Sequence, residues 1–281
     1  MTNQYQTGTS INNISKEEDI VIIGGGIAGL TAATFLARAG KSVTILERYS
    51  ESGGRARTSL SNGFYLNQGP HAVYPAGPGV QILKELGINY TGKSVTTDGY
   101  YVLKQGQKYP MPIGLSRLFT TRLLKGLQSK IEAIRFFATL NRIDPGKIQN
   151  ISFQNWIDQK IHNSDVKALV KMGARIATFA NDAEIQSAGS TLSQLQIAYA
   201  GGAMYIDRGW QTLVNGLSAA AVRANVKILT GKTVMSIEHR NIACNNNSSS
   251  SWILHLSDGS IILSHVLITC TNHYSWPQRS L

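Results

Sequence analysis

Hydrophobic and polar positions divide the chain into distinct regimes. Residues 1–18 are rich in Asn, Thr, Ser and Gln, show no apolar period, and are expected to form a disordered N-terminal tail. From Asp19 the pattern changes to a short β-branched run, Asp19–Ile23, then a small-residue stretch, Ile27–Ala39, closed by Arg38 and Gly40, then a second apolar run, Ser42–Leu46. Strand, helix and strand in that order predict a βαβ unit on a parallel sheet. Phe64–Tyr74 then reads as extended, Pro78–Leu86 as a short helix ended by Gly87, and Tyr100–Tyr109 as a hairpin around Gln105-Gly106.

From Leu115 the period becomes helical. Leu115, Leu118, Phe119, Leu123, Leu124, Leu127, Ile131, Ile134, Phe137 and Leu140 recur at three- and four-residue intervals and predict a long helical stretch. Ser152 is placed to cap the helix that follows it, and Asp165–Ala180 and Thr191–Ala200 continue the helical region. Alternation returns near Tyr205. Trp210–Ala224 reads as a helix, and Val226–Leu229 and Thr233–Glu238 as strands. Trp252–Ser257 should pair with Ser260–Leu263 across Asp258-Gly259, a two-residue hairpin signal, with Asn245–Ser251 as a loop and His265–Thr269 as one more strand.

The fold class implied is α/β: a Rossmann-like dinucleotide-binding domain, βαβ with an added β-meander, interrupted by a mainly helical substrate domain. Its two parts are expected at 19–93 and 205–270, with the insertion at 94–204 and an atypical tail at 271–281.

Composition narrows the partners. The 281 residues are 42% hydrophobic and 15% charged, a globular balance, and the formal charge of +11 permits a nucleic acid, an anionic surface or an anionic ligand without choosing among them. No recognised nucleic-acid module or basic–aromatic platform occurs, so nucleic acid is not expected as a partner. The two cysteines, Cys244 and Cys270, have no metal-binding spacing and are too few for a disulfide framework, which suits a reducing, cytoplasmic setting. None of the six histidines has H-E-x-x-H spacing and no G-x-S-x-G elbow occurs, so neither a metal site nor an acyl-transfer triad is expected.

The chemistry concentrates in the first βαβ unit. Gly24, Gly26 and Gly29 have G-x-G-x-x-G spacing: a tight turn, a close approach to a pyrophosphate, and close helix–sheet packing. Glu47, at the end of the second strand, is suited to accept from ribose hydroxyls and to repel a 2′-phosphate, which favours FAD or NAD over NADP. Gly53-Gly54 with Arg55 offers a second backbone approach and a guanidinium for the diphosphate; in isolation the same residues make a turn and a solvated Arg.

The stretch "VIIGGGIAGLTAATFLARAGKSVTILERYSESGGRARTSLSNGFYLNQGPHAVY" resembles the amino end of the FAD-dependent amine oxidase, protoporphyrinogen oxidase and phytoene (carotenoid) desaturase superfamily, and "YIDRGWQTLVNGLSAAAVRANVKILTGKTVMSIE" resembles its later return to the FAD domain. The resemblance implies FAD as cofactor. Gly24, Gly26 and Gly29 would line the diphosphate, Glu47 would hold the adenosine ribose, Gly54 and Arg55 would lie near the pyrophosphate, and Val234 would meet the adenine through its backbone. Gly69 and His71 would fall near the ribityl chain and flavin ring, although Gly69-Pro70-His71 is equally a turn with a partly buried histidine. In such enzymes the flavin carries the hydride step, so no catalytic residue is assigned. Members of the superfamily also continue past the equivalent of residue 269, and a chain ending sooner is expected to retain FAD poorly.

Three functions follow from this reading. One is dehydrogenation of a hydrophobic small molecule, another is flavin-dependent isomerisation or cyclisation without net redox, and the third is a truncated, non-catalytic remnant. The cations Arg117, Arg122, Lys125, Lys130, Arg135 and Arg142, set against a single Glu132, read either as a solvated helix face or as a peripheral membrane contact.

Overall fold

A computed structural model describes residues 16–95, 99–244 and 247–270, the side chains of 241–250 excepted. In chain order the elements begin with β1 (Lys16–Ile23), α1 (Ile27–Arg38), β2 (Val43–Leu46), β3 (Thr58–Ser61), β4 (Phe64–Asn67), α2 (Pro78–Glu85), β5 (Gly92–Ser94), β6 (Tyr101–Lys104) and β7 (Gln107–Pro110). Helices α3 (Leu115–Thr120), α4 (Gly126–Thr139), α5 (Phe153–Lys160), α6 (Ser164–Thr178) and α7 (Ala188–Gly201) follow. The chain then forms β8 (Met204–Ile206), α8 (Gln211–Arg223), β9 (Lys227–Leu229), β10 (Val234–Cys244), β11 (Asn247–Leu256) and β12 (Ile261–Thr269).

Two compact units result. Among the described residues, the first holds 16–71 together with 81–92 and those from 206 to 270; the second holds 72–80 and those from 93 to 205. Residues 72–80 thus belong with the helical unit rather than with the first domain, where sequence reasoning placed them.

The first unit is Rossmann-like, built on a six-stranded sheet of order β10-β11-β12-β1-β2-β9. Pairs β12–β1, β1–β2 and β2–β9 are parallel, and β10–β11–β12 is an antiparallel meander. Central position explains why β1 and β2 read as unbroken apolar runs: Val21, Ile22, Ile45 and Leu46 are buried because both sheet faces are covered. The second unit has its own core, in which Leu140, Phe153, Ile157, Val166, Val170 and Leu192 are fully enclosed. Helices α5, α6 and α7 start where short polar side chains accept first-turn amides. Ser152 takes Asn155 N at 3.1 Å, and Asn163 takes Asp165 N at 2.9 Å.

Four expectations need correction. Lys16–Glu18 are not tail but the start of β1, because β12 continues alongside them with Lys16 opposite Ile262 and Glu18 opposite Ser264; residues 1–15 lie outside the described residues. Of the polar stretch expected as a loop, residues 247–251 are strand, since β10 and β11 stay paired to Cys244 opposite Asn247; 245 and 246 lie outside the described residues. Backbone pairing in a hairpin does not require apolar side chains. Ser260–Leu263 and His265–Thr269 belong to one strand, β12, whose first half pairs with β11 while most of its length pairs with β1. The long helix from Leu115 is broken, because the Thr121 hydroxyl accepts Leu123 N at 3.2 Å and Gly126 turns at φ +78°. The expected tail at 271–281 lies outside the described residues.

Glu18 ties three neighbouring strands together. It is 3% exposed, accepts from Thr44 Oγ1 of β2 at 2.8 Å, and is ion-paired with Lys227 of β9 at 3.4 Å and with Lys16 of its own strand. Burial alone would raise its pKa, but the bonds from Lys16 and Thr44 and the charges of Lys16 and Lys227 outweigh this and hold it below the usual carboxylate value. Its folded value is therefore the lower one, so its stabilisation is present above the unfolded pKa and is lost as pH falls through the folded value. Glu18→Gln should lower unfolding free energy at neutral pH by about 1–3 kcal/mol, and the gap from the parent should close in acid. Urea melts across pH 3 to 7 check this, a pH-independent gap being the contrary result.

Candidate cofactor-binding site

The site is built where β1 ends. Gly24 donates its N–H to Leu46 O at 2.8 Å, the last rung between β1 and β2, and then turns at φ +106°. One helical turn later, a Cβ on Gly29 would sit 1.9 Å from Gly24 O. No side chain fits there, so α1 rests directly on the end of its strand. Gly26 is the N-cap of α1, with no side-chain cap and no acidic residue in the first turn. The amides of that turn lie at the positive end of the helix dipole, and among the described residues no side chain caps them.

A second glycine loop is laced to the first. Gly53 N donates to Gly25 O at 2.8 Å, Gly26 and Gly53 form a parallel bridge, and a Cβ on Gly54 would lie 3.8 Å from Gly26 Cα. Gly53 has φ +129° and its Cβ would strike Arg57 Cγ at 2.7 Å, so both backbone angle and space restrict this position to glycine. Arg55 follows in a short 3-10 turn with its side chain exposed.

Glu47 closes the other side. It is 5% exposed; its Oε2 accepts Gly25 N at 2.7 Å and its Oε1 accepts Tyr49 N at 3.0 Å. Each oxygen keeps capacity for a further donor. The chain leading into β10 runs beside it: Glu47 N donates to Leu229 O at 2.9 Å and Lys232 N donates to Glu47 O at 2.8 Å. Val234, two residues on, opens β10 opposite Leu256 with a register shift immediately after it. The structure thus brings Gly24, Gly26, Gly29, Glu47 and Gly54 around one loop pair, with Val234 on the segment that flanks Glu47.

His71 is tied to the second loop. Its Nε2 lies 2.7 Å from Arg55 O, its Nδ1 lies 2.9 Å from Pro70 O, and its ring packs on Trp210 with centroids 4.7 Å apart. Gly69, at φ +109°, provides the turn before it.

Sequence reasoning missed several residues here. Tyr49 lies between two guanidinium groups, Arg48 at 4.6 Å and Arg57 at 4.4 Å from its ring centre. Arg57 Nε and Trp210 Nε1 are buried donors with no protein acceptor. Thr58 and Asn67, from the β3–β4 hairpin, cap α8: Asn67 Oδ1 accepts Trp210 N and Thr58 Oγ1 accepts Gln211 N, both at 3.1 Å. A signal for that hairpin existed in Asn62-Gly63, a favoured two-residue turn. Nothing in the sequence marks which helix it caps. Among the described residues, no three His, Cys, Asp or Glu side chains are grouped to hold a metal.

Parallel strands β12, β1, β2 and β9 with a helix N-terminus free of any side-chain cap and a glycine-lined loop pair at their ends define a dinucleotide-binding fold. The chain belongs to the flavin containing amine oxidoreductase family, whose model matches residues 27–271. It is 28% identical over 187 residues to the putrescine oxidase of Kocuria rosea, covering 63% of this chain and 37% of that protein. With the carotenoid 3,4-desaturase of Haloarcula japonica it is 47% identical over 53 residues, 19% of this chain and 11% of that one. A solved triple mutant of putrescine oxidase, made to redesign cofactor binding, shares the fold with a TM-score of 0.68 at 17% identity, over 90% of this chain and 58% of that chain. The chain therefore spans well under two thirds of these relatives.

Gly29→Ala should destabilise the protein by about 3 kcal/mol or more, since the clash is with backbone that cannot move without breaking the β1–α1 turn. Gly40→Ala, at φ +80° with nothing within 4 Å, should cost only about 1 kcal/mol of backbone strain. Chemical denaturation of both variants tests the contrast; comparable losses would contradict it.

Proposed function

We propose that this chain binds FAD at the paired glycine loops and serves an oxidoreductase that dehydrogenates a hydrophobic small molecule. The observation carrying the reading is the difference between two helix N-termini of the same unit: α8 is capped by Thr58 and Asn67, whereas α1 is left open beside loops that come within van der Waals distance. An anion supplies what α1 lacks.

The residues present fit that cofactor. Gly24, Gly26, Gly29 and Gly54 keep side chains away from the diphosphate, and Arg55 offers it an exposed guanidinium. Glu47 would take ribose hydroxyls on its remaining acceptor capacity, and its charge opposes a 2′-phosphate. Val234 would present backbone to the adenine. Gly69 and His71 would lie toward the ribityl chain, with His71 holding Arg55 through its carbonyl and so setting the second loop. The buried donors Arg57 Nε and Trp210 Nε1 mark unmet hydrogen-bonding capacity in the same unit. When bound, the flavin accepts a hydride equivalent, so the chain's task is to bind, orient and exclude water rather than to supply an acid–base set.

An apolar substrate is favoured over a polar one by the Leu-, Ile- and Phe-rich helical segment at 94–204 and by the likeness to a carotenoid desaturase. The likeness to putrescine oxidase makes an aliphatic diamine the competing substrate.

A Cβ on Gly26 meets nothing closer than Gly53 O at 3.9 Å, so Gly26→Ala should leave apoprotein stability within about 0.5 kcal/mol while reducing FAD retention. Glu47→Gln should weaken FAD affinity about tenfold or more through loss of charge-assisted bonds. Flavin absorbance after FAD addition and desalting reads both, and retention equal to the parent's in both variants would remove the assignment of this site. Anaerobic bleaching by a long polyene, compared with an aliphatic diamine, tests the substrate class separately.

A further inference from the structure

The helical unit carries a surface that the flavin reading does not use. Where α3 meets α4, Phe119, Leu127 and Ile131 are 55%, 61% and 54% exposed, although each belongs to a helix whose other face is packed. Phe119 and Leu127 line one shallow groove of about 440 Å³ together with Arg122, Lys125 and Lys130, and the Lys130 ammonium lies 5.8 Å from the centre of the Phe119 ring. A larger groove of about 790 Å³ shares the Thr121–Arg122 wall. Exposed apolar side chains are therefore interleaved with cations, Arg122 and Lys125 exposed and Lys130 half-buried, on one face.

Nothing acidic neutralises that face from its own helices. Glu132 is the sole carboxylate between Leu115 and Arg142, and its two oxygens accept His162 N at 2.7 Å and Asn163 N at 3.0 Å, committing it to the loop before α6. Asp165, which feels the charge of Lys125, is itself bonded to Lys104 at 2.6 Å. We propose that this α3–α4 face docks on the surface of an anionic lipid bilayer, with Phe119, Leu127 and Ile131 entering the acyl boundary and Arg122, Lys125 and Lys130 meeting lipid phosphates.

The chemistry favours that occupant. Leu127 and Ile131 need a hydrocarbon phase, which a nucleic acid does not offer, and one Phe is no stacking platform for bases. A second copy of the chain would set these cations against their own kind. A bilayer provides acyl chains and phosphates in the same two layers as the side chains, at the depth of an interfacial helix. Among the described residues, no helix is long and apolar enough to span a membrane, and the proposed contact is at the bilayer surface.

The test is co-sedimentation of the 281-residue chain with phosphatidylcholine vesicles, with and without phosphatidylglycerol, at low and high salt. Binding should require phosphatidylglycerol and fall with salt. Arg122→Gln with Lys125→Gln should weaken partitioning about fivefold per charge at low salt. Phe119→Ser with Leu127→Ser should weaken it several-fold and leave the residual binding more salt-sensitive. Lys84→Gln with Arg223→Gln removes the same charge from exposed positions elsewhere and should change binding little. All variants alter exposed side chains, and thermal melts matching the parent keep folding out of the comparison. Equal binding to pure phosphatidylcholine, equal losses in patch and control variants, or a concentration-dependent dimer abolished by Leu127→Ser would each overturn the proposal. None of these readings involves flavin, so they stand or fall apart from the cofactor site.

Discussion

The contact between Gly29 and the carbonyl of Gly24 governs the first unit. A missing Cβ at Gly29 lets α1 begin against the end of β1, and a Cβ there would lie 1.9 Å from the carbonyl oxygen. From that contact follow the direction of α1, the exposure of its first-turn amides and the gap into which the second loop folds. Gly53 N reaches Gly25 O across this gap, and Glu47 reaches Gly25 N from the end of β2. Two segments distant in sequence, the end of β2 and the Gly53-Gly54 loop, converge on one tripeptide because it carries no side chains to hold them off.

Electrostatics then separate α1 from α8. At α8, Thr58 and Asn67 satisfy first-turn amides, and the Thr58 hydroxyl also donates to Asn67 Oδ1 at 2.6 Å. That helix end is finished by protein alone. At α1 the nearby carboxylate, Glu47, is directed to Gly25 and Tyr49 instead of to the helix. A positive terminus without a side-chain cap keeps capacity for an anion.

The helical unit follows different rules. Its core of Phe, Leu, Ile and Val is enclosed by α4 to α7, and α5, α6 and α7 begin at Ser152, Asn163 and Ser187, each accepting a first-turn amide. Phe136 and Phe137 pack edge to face, and Phe137 stacks on Tyr199. This order makes the apolar exposure at α3 and α4 stand out, because the same helices bury Leu118, Ala133 and Phe136 on their other side.

Short-range patterns were legible in the sequence, and partners across long separations were not. The βαβ unit, its glycine spacing and the cap at Ser152 were readable because each depends on residues a few positions apart. The hairpin at Asp258-Gly259 was readable in place but not in register, since His255 pairs with Ile261 and Leu256 N donates to Ser260 O, which makes the loop Ser257-Asp258-Gly259 rather than a two-residue turn. The roles of Thr58 and Asn67 were hidden because their partners lie 153 and 143 residues away. Glu18 looked like part of a polar tail because its ties to Thr44 and Lys227 span 26 and 209 residues. The full lengths of β10 and β12 were hidden for the same reason, since strand length is set by how far a neighbour continues to offer hydrogen bonds. What the sequence determined by itself was the local backbone that a missing side chain or a periodic apolar face demands. Tertiary structure alone decided which helix end is capped, which carboxylate is paired and which apolar face is left uncovered, because each is a property of two surfaces meeting.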